Sequence, residues 1–211
     1  MHYSRLAALG LVAPGTALLR FGCSQLNVQR IDPLVNPGVA PSPHLHQIIG
    51  GNALQTFMDP EEDIGEKATC TTCQFSEDFS NYWTAVLFFK ARNGSYHRVP
   101  QVPNLGFEGS DGGMTVYYMQ DGLANYQQTS KVTAFRKGFR QLVGEAAYRT
   151  KEEARRFRQL TYTCLETLGT RFPETMDLPK KPCPAGIMVN VRFPTCWDGK
   201  NLDTPDHMSH M

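Results

Sequence analysis

The sequence predicts a mainly β protein, an antiparallel β-sandwich with long disulfide-tied loops and one short helix. Three observations lead there. Of 211 residues, 18 are glycine and 14 are proline, so turns punctuate the chain often. Short runs rich in Val, Ile, Thr, Phe and Tyr alternate between these turns at the two-residue period of a strand. Only one segment carries a clear helix start.

In chain order, residues 1–17 have the layout of a secretory signal peptide. A short basic region ends at Arg5, an apolar run covers Leu6 to Val12, and the small residues Gly15 and Ala17 precede the expected cleavage after Ala17. Residues 18–211 are then expected to form a single β-rich domain. A strand is expected over residues 20–30. An irregular region follows from about Asp32 to Asn81, longer than ordinary connections and so expected to be functional or tied down by disulfides. "WTAVLFFKARNGSYHRVP" reads as two strands joined at Asn93-Gly94, the strongest short hairpin signal. "GGMTVYYMQ", "VTAFRKGFRQLVG" and "AGIMVNVRFPTCW" are further strand candidates. Thr150 and Glu153 form a capping box that starts a short helix ending near Arg158. "LTYTCL" then alternates as a strand, with Thr161 and Thr163 favouring it.

Composition limits the function. Lys plus Arg number 21 against 20 for Asp plus Glu, a net charge of +1. The short basic groups at Arg136, Lys137, Arg140 and at Arg155, Arg156, Arg158 read as solvated faces, so no nucleic-acid partner is expected. No segment approaches the ~18 apolar residues of a membrane span. Six cysteines, all beyond residue 17, suit an oxidising compartment. The single Cys70-x-x-Cys73 reads as disulfide chemistry rather than zinc or a redox motif, and the connectivity stays open. "NGS" at 93–95 is an N-glycosylation sequon at a turn. The expected location is outside the cell.

The candidate chemistry centres on histidine. His44 and His46 in "PSPHLHQIIGGN" would point the same way on a strand, and His207 and His210 in "DHMSH" lie three apart. These four rings suit either a divalent metal or acid–base work, against the blander reading of histidines bonded to loop backbone. Asp203 and Asp206 stand beside the second pair as ligands or as acceptors that fix a ring's tautomer. "SEDFSNYW" sets Glu77 and Asp78 beside aromatic rings. That combination suits glycan cleavage, although neighbouring carboxylates on an extended chain point apart and Trp83 reads as core. Asp198 is the more distant acid of interest.

Taken together, "PGVAPSPHLHQIIGGN", "TCTTCQFSEDFSNYWTAVLFF", "GGMTVYY" and "FPTCWDGKNLDTPDHMSH" resemble a secreted family of fungi with bacterial relatives, domain of unknown function nineteen-ninety-six. The resemblance runs from about Leu19 to the last residue. It implies an extracellular or wall-associated protein, since family members are often joined to WSC modules thought to bind carbohydrate. Motif positions carried over are His44, His46, Asn52, Trp83, Asp198, Lys200, Asp206, His207 and His210, without assigned roles. Family chains usually continue past this motif, so the present chain is expected to be C-terminally truncated.

The leading expectation is therefore a secreted protein acting on or binding extracellular polysaccharide. A lyase or hydrolase would use a histidine as general base or metal ligand, Asp198 or Asp206 as its orienter, and Asn52 and Lys200 to stabilise negative charge. The alternative is a non-enzymatic wall-associated or host-interaction protein. An oxidative copper site at the mature N-terminus fits poorly, because cleavage after Ala17 leaves Leu18 rather than histidine first.

Overall fold

The computed structural model describes residues 18–107, 109–119 and 134–211. The expected signal peptide lies outside them. Among the described residues, nine strands and two one-turn helices follow in order: β1 Leu18–Cys23, β2 Asn27–Gln29, β3 His46–Gly50, α1 Ile64–Lys67, β4 Asn81–Ala85, β5 Phe88–Lys90, β6 Tyr96–Arg98, β7 Met114–Met119, α2 Lys151–Ala154, β8 Leu160–Cys164 and β9 Ile187–Val191. The class is mainly β, as expected. All pairings are antiparallel, and the described strands form four small sheets: β1–β7, β2–β3–β4, β5–β6 and β8–β9.

The expected strand over residues 20–30 is two strands, because the chain turns at 24–26 to serve two partners. Ser24 N–H donates to Thr72 O and Leu26 N–H to Ile48 O. The long irregular region from Asp32 to Asn81 also needs correcting, since its middle is β3, a fully buried strand. β3 has β2 on one edge and β4 on the other, so its backbone groups are paired on both sides. Its polar Gln47, 1% exposed, is accommodated because Nε2 donates to Gly113 O at 3.0 Å. α1 is a helix the sequence reading left unassigned, started by Asp63, whose side chain accepts from Gly65 N–H.

Two sheets meet over one cluster. Phe21 and Val116 come from β1 and β7, Ile49 from β3, and the Cys23–Cys73 disulfide lies between them. Tyr82, Met114 and Tyr118 pack against its rim. A second disulfide, Cys164–Cys183, ties β8 to the loop before β9. Cys70 and Cys196 are exposed free thiols, so Cys73 of the Cys-x-x-Cys pairs with Cys23 and not with Cys70.

The hairpin signal at Asn93-Gly94 is realised as β5–β6, with Gly94 at φ 86. The strand drawn from Trp83 to Lys90 is broken at Val86-Leu87, where the first piece leaves β3 and the second begins the hairpin. The capping box forms as read: Thr150 accepts from Glu153 N–H and Glu153 reaches back to Thr150 N–H. The expected strand over 132–144 is irregular in its described part, 134–144. Gly138 takes φ 80 and Phe139 N–H turns back to Arg136 O, which stacks Phe135 on Phe139 at 4.6 Å and ends any alternation.

The core cluster yields a direct stability test. Ile49→Ala is expected to cost about 2–5 kcal/mol in urea unfolding, since it removes a fully buried side chain at the junction of two sheets. Ile187→Ala, on an exposed face of β9, is expected to stay within about 0.5 kcal/mol.

Candidate functional site

The first motif, residues 41–52, is largely architectural. β3 begins only at His46, so His44 sits in the preceding turn, where Ser42 Oγ donates to its carbonyl at 2.8 Å. The two rings lie near each other, with centroids 6.2 Å apart. His44 faces an open groove shared with Arg30, Leu45 and Phe88. His46 is buried; its Nδ1–H donates to Ile31 O at 2.8 Å and its Nε2 lies 3.9 Å from the buried Asp32 carboxylate. Asp32 in turn accepts from Leu34 and Val35 N–H.

The two glycines are close-approach residues. A Cβ on Gly50, at φ +99, would lie 1.8 Å from Ser80 O, and one on Gly51 would lie 2.4 Å from Phe79 O. Only glycine lets the chain pass there. Both ends of the Asn52 amide are engaged: Oδ1 accepts from Thr69 and Cys70 N–H, and Nδ2 donates to Thr69 Oγ1. Asn52 therefore anchors the loop leading to Cys73.

The carboxylates of "SEDFSNYW" separate. Glu77 is exposed and accepts from Ser76 Oγ, whereas buried Asp78 accepts from Ser80 N–H and from Tyr82 OH at 2.6 Å. Tyr82 OH also meets Tyr118 OH. Burial first, and then the neighbouring Tyr118 and Asp78, push the Tyr82 phenol far above its ordinary range. Trp83 is half-buried on β4, opposite Ile48.

The C-terminal motif folds against residues 135–142. Arg140 N–H donates to Leu202 O, and Leu142 N–H to His207 O. Phe139 packs edge-on to both Trp197 and His210, and the Arg136 guanidinium lies over the Trp197 ring. Asp198 closes one turn by accepting from Lys200 and Asn201 N–H, which lower its pKa. Lys200 is exposed, and among the described residues its ammonium has no ion-pair partner. His210, 1% exposed, donates Nε2–H to Arg140 O at 2.7 Å, and its Nδ1 meets Thr204 Oγ1 at 3.0 Å.

His207 differs from the other three. Its Nδ1–H donates to Asp203 Oδ1 at 2.7 Å, the side chain is half-buried, and Nε2 has no protein partner among the described residues. Its backbone sits at φ 55, the one non-glycine residue with positive φ among those described. Such a conformation is costly for a side chain with a Cβ and is held here by Leu142 and Thr204 on its two backbone polar groups. Asp203, rather than Asp198 or Asp206, is therefore the carboxylate that orients a histidine ring. Of the two acids expected beside this pair, Asp203 and Asp206, it is Asp203, four residues before His207, that reaches the ring.

The structure brings His44 and His46 near each other, whereas His207 and His210 bond separate partners. No hydrogen bond, ion pair or ring contact joins His44 or His46 to His207 or His210 among the described residues. Nor do three or more His, Cys, Asp or Glu side chains gather there in a way that would hold a metal ion. Of the four rings only His210 has both nitrogens engaged among the described residues, so an ion bound there would have to displace a contact.

Asp206 gives a pH test. It accepts from Ser209 and Met208 N–H and from the Thr204 and Ser209 hydroxyls, which hold its carboxyl well below the ordinary 3.8. A lowered folded-state pKa stabilises above the unfolded value, and that stability is lost as pH falls through the folded one. Wild type is thus expected to be more stable than Asp206→Asn at pH 7, with the difference shrinking in strong acid. Thermal melts of both across pH check this.

A search of curated proteins and one of solved structures each return no match. A family model does match, covering residues 32–211 and so both motifs described above. The chain belongs to the family described as Domain of unknown function (DUF1996).

Proposed function

We propose that this chain is an exported protein that acts on extracellular or wall polysaccharide, with the Asp203–His207 couple as its reacting centre. The observation that carries this reading is the couple's geometry. A carboxylate accepts from Nδ1–H, which fixes the tautomer with a lone pair on Nε2, and Nε2 is left open. That is what a general base requires: it accepts a proton at Nε2, and Asp203 stabilises the imidazolium that results. The proton comes from a water in a hydrolase or from a sugar carbon in a lyase, and the base step is common to both. Lys200, from the same motif, is the cation assigned to developing negative charge.

Export is supported by two disulfides and by the leader-like layout of residues 1–17. No helix among the described residues is long and apolar enough to cross a membrane. The polysaccharide class comes from the resemblance to chains joined to WSC modules.

A second reading, a non-enzymatic wall-associated or host-interaction protein, is favoured by one feature. Asp198 and Asp206 direct their carboxylates to their own turns and His210 bonds the Arg140 carbonyl, so much of the motif is structural.

One screen separates the two. Wild type, His207→Ala and Asp203→Asn are incubated with wall polysaccharides, and both loss of protein from solution and new reducing or unsaturated ends are measured. An enzyme is expected to lose about 10²–10⁴-fold in rate with His207→Ala while binding persists. Depletion without new ends, equal in all three proteins, identifies a binder. A panel with neither sinks the polysaccharide reading.

A further inference from the structure

The β5–β6 hairpin is left unexplained by the proposed site. Every residue of both strands is exposed, and they include Phe88 (47%), Phe89 (62%) and Tyr96 (63%). Neighbouring exposed aromatic rings are a place to look for an occupant. The register divides the hairpin into two faces. Phe88, Lys90, Tyr96 and Arg98 share one, where Lys90 lies over the Tyr96 ring. Phe89 stands opposite His97 on the other, and Ser95 joins them by the two-residue period.

The tip of the hairpin is the Asn93-Gly94-Ser95 sequon, which occurs once in the chain. Its geometry is specific. Ser95 Oγ donates to Asn93 Oδ1 at 2.7 Å, Ser95 N–H donates to the same oxygen at 3.0 Å, and His97 Nε2 lies 3.0 Å from Ser95 Oγ. The oxygen of the amide is thus held on the Ser95–His97–Phe89 face. Asn93 is exposed, and its Nδ2 has no partner among the described residues.

We infer that Asn93 carries an N-linked glycan and that its first sugars cover the Phe89–His97 face. The inference rests on the exported reading above. In the transfer, Asn93 Nδ2 bonds to the anomeric carbon of a lipid-pyrophosphate-linked oligosaccharide. The carbon–oxygen bond to the pyrophosphate breaks, the lipid pyrophosphate leaves with that electron pair, and the amide gives up one proton to the transferring enzyme. The hairpin is local and needs no distant strand, so it forms on the microsecond scale, roughly 1–10 μs, before the rest of the sheet network. Phe89 lies about 7 Å along the ladder from the level of Ser95, within reach of the first sugar rings. The apolar C–H face of a sugar suits the electron-rich face of an aromatic ring.

The test uses the chain secreted from a eukaryotic host behind a heterologous leader, so that failure of its own leader does not mask the result. Trypsin cuts after Arg92 and Arg98, isolating residues 93–98. The expected result is a glycan mass on that peptide, removed by peptide N-glycosidase to leave Asp at 93. It is abolished by Asn93→Gln and Ser95→Ala and retained by Ser95→Thr. Native deglycosylation should then raise fluorescence of a hydrophobic dye, and Phe89→Ser should abolish that rise. Recovery of the unmodified peptide from secreted protein overturns the modification. A glycan whose removal leaves dye binding unchanged, or changes it equally in Phe89→Ser, overturns the covering. A parallel secretion with residues 1–17 in place reports on export separately.

Discussion

β3 is hydrogen-bonded on both edges and covered on both faces, and most of the remaining architecture follows from keeping it so. Ile49 points into the cluster shared with β1 and β7, while Gln47 spans to the backbone at Gly113. A buried amide left unpaired would cost about 1–3 kcal/mol, so the position of Gly113 relative to β3 is under real constraint. At the end of the strand the chain from Phe79 to Ser80 passes against Gly50 and Gly51 at distances no Cβ would permit. Asn52 then holds the segment that carries Cys73 to its disulfide with Cys23. The strand, the glycine pair, the asparagine and the disulfide are therefore one mechanical unit, which is why the residues of the motif occur in that order.

The C-terminal motif is built by a different principle. It has little apolar burial of its own and is held by short polar turns. Asp198 and Asp206 each collect backbone N–H groups, and His210 ties to the Arg140 carbonyl. Phe139 supplies the apolar contact, wedged among Phe135, Trp197 and His210. Within this scaffold His207 is the residue held in an unfavourable backbone conformation with a ring nitrogen open. A rigid surround that pins a strained residue is the arrangement expected where a side chain must be presented rather than buried.

Legibility in the sequence tracked how local each signal was. The Asn93-Gly94 turn, the Thr150–Glu153 box and the alternation of β8 depend on neighbouring residues and were read correctly. β3 was hidden because it does not alternate: a strand buried on both faces loses the two-residue period, and His46 and Gln47 made it look like loop. In its described part the strand expected over 132–144 failed because Gly138 takes a positive φ where it passes close to the Pro60 carbonyl. In the site, the choice of Asp203 over Asp206 depends on the left-handed turn at His207, and nothing in residue type announces that. The family resemblance located both motifs but assigned no geometry to either.

The pairing of Leu18–Cys23 with Met114–Met119 sets the order in which the molecule is assembled. β1 is made nearly a hundred residues before its sheet partner β7, a separation that makes closure of that sheet slow. Cys73 emerges in between. Once oxidised to Cys23, it fixes β1 beside the 70–73 segment and shortens the search that β7 must complete, because closure entropy grows with the length of free chain. The same cross-link that braces the finished core therefore also shortens the free chain that separates β1 from β7.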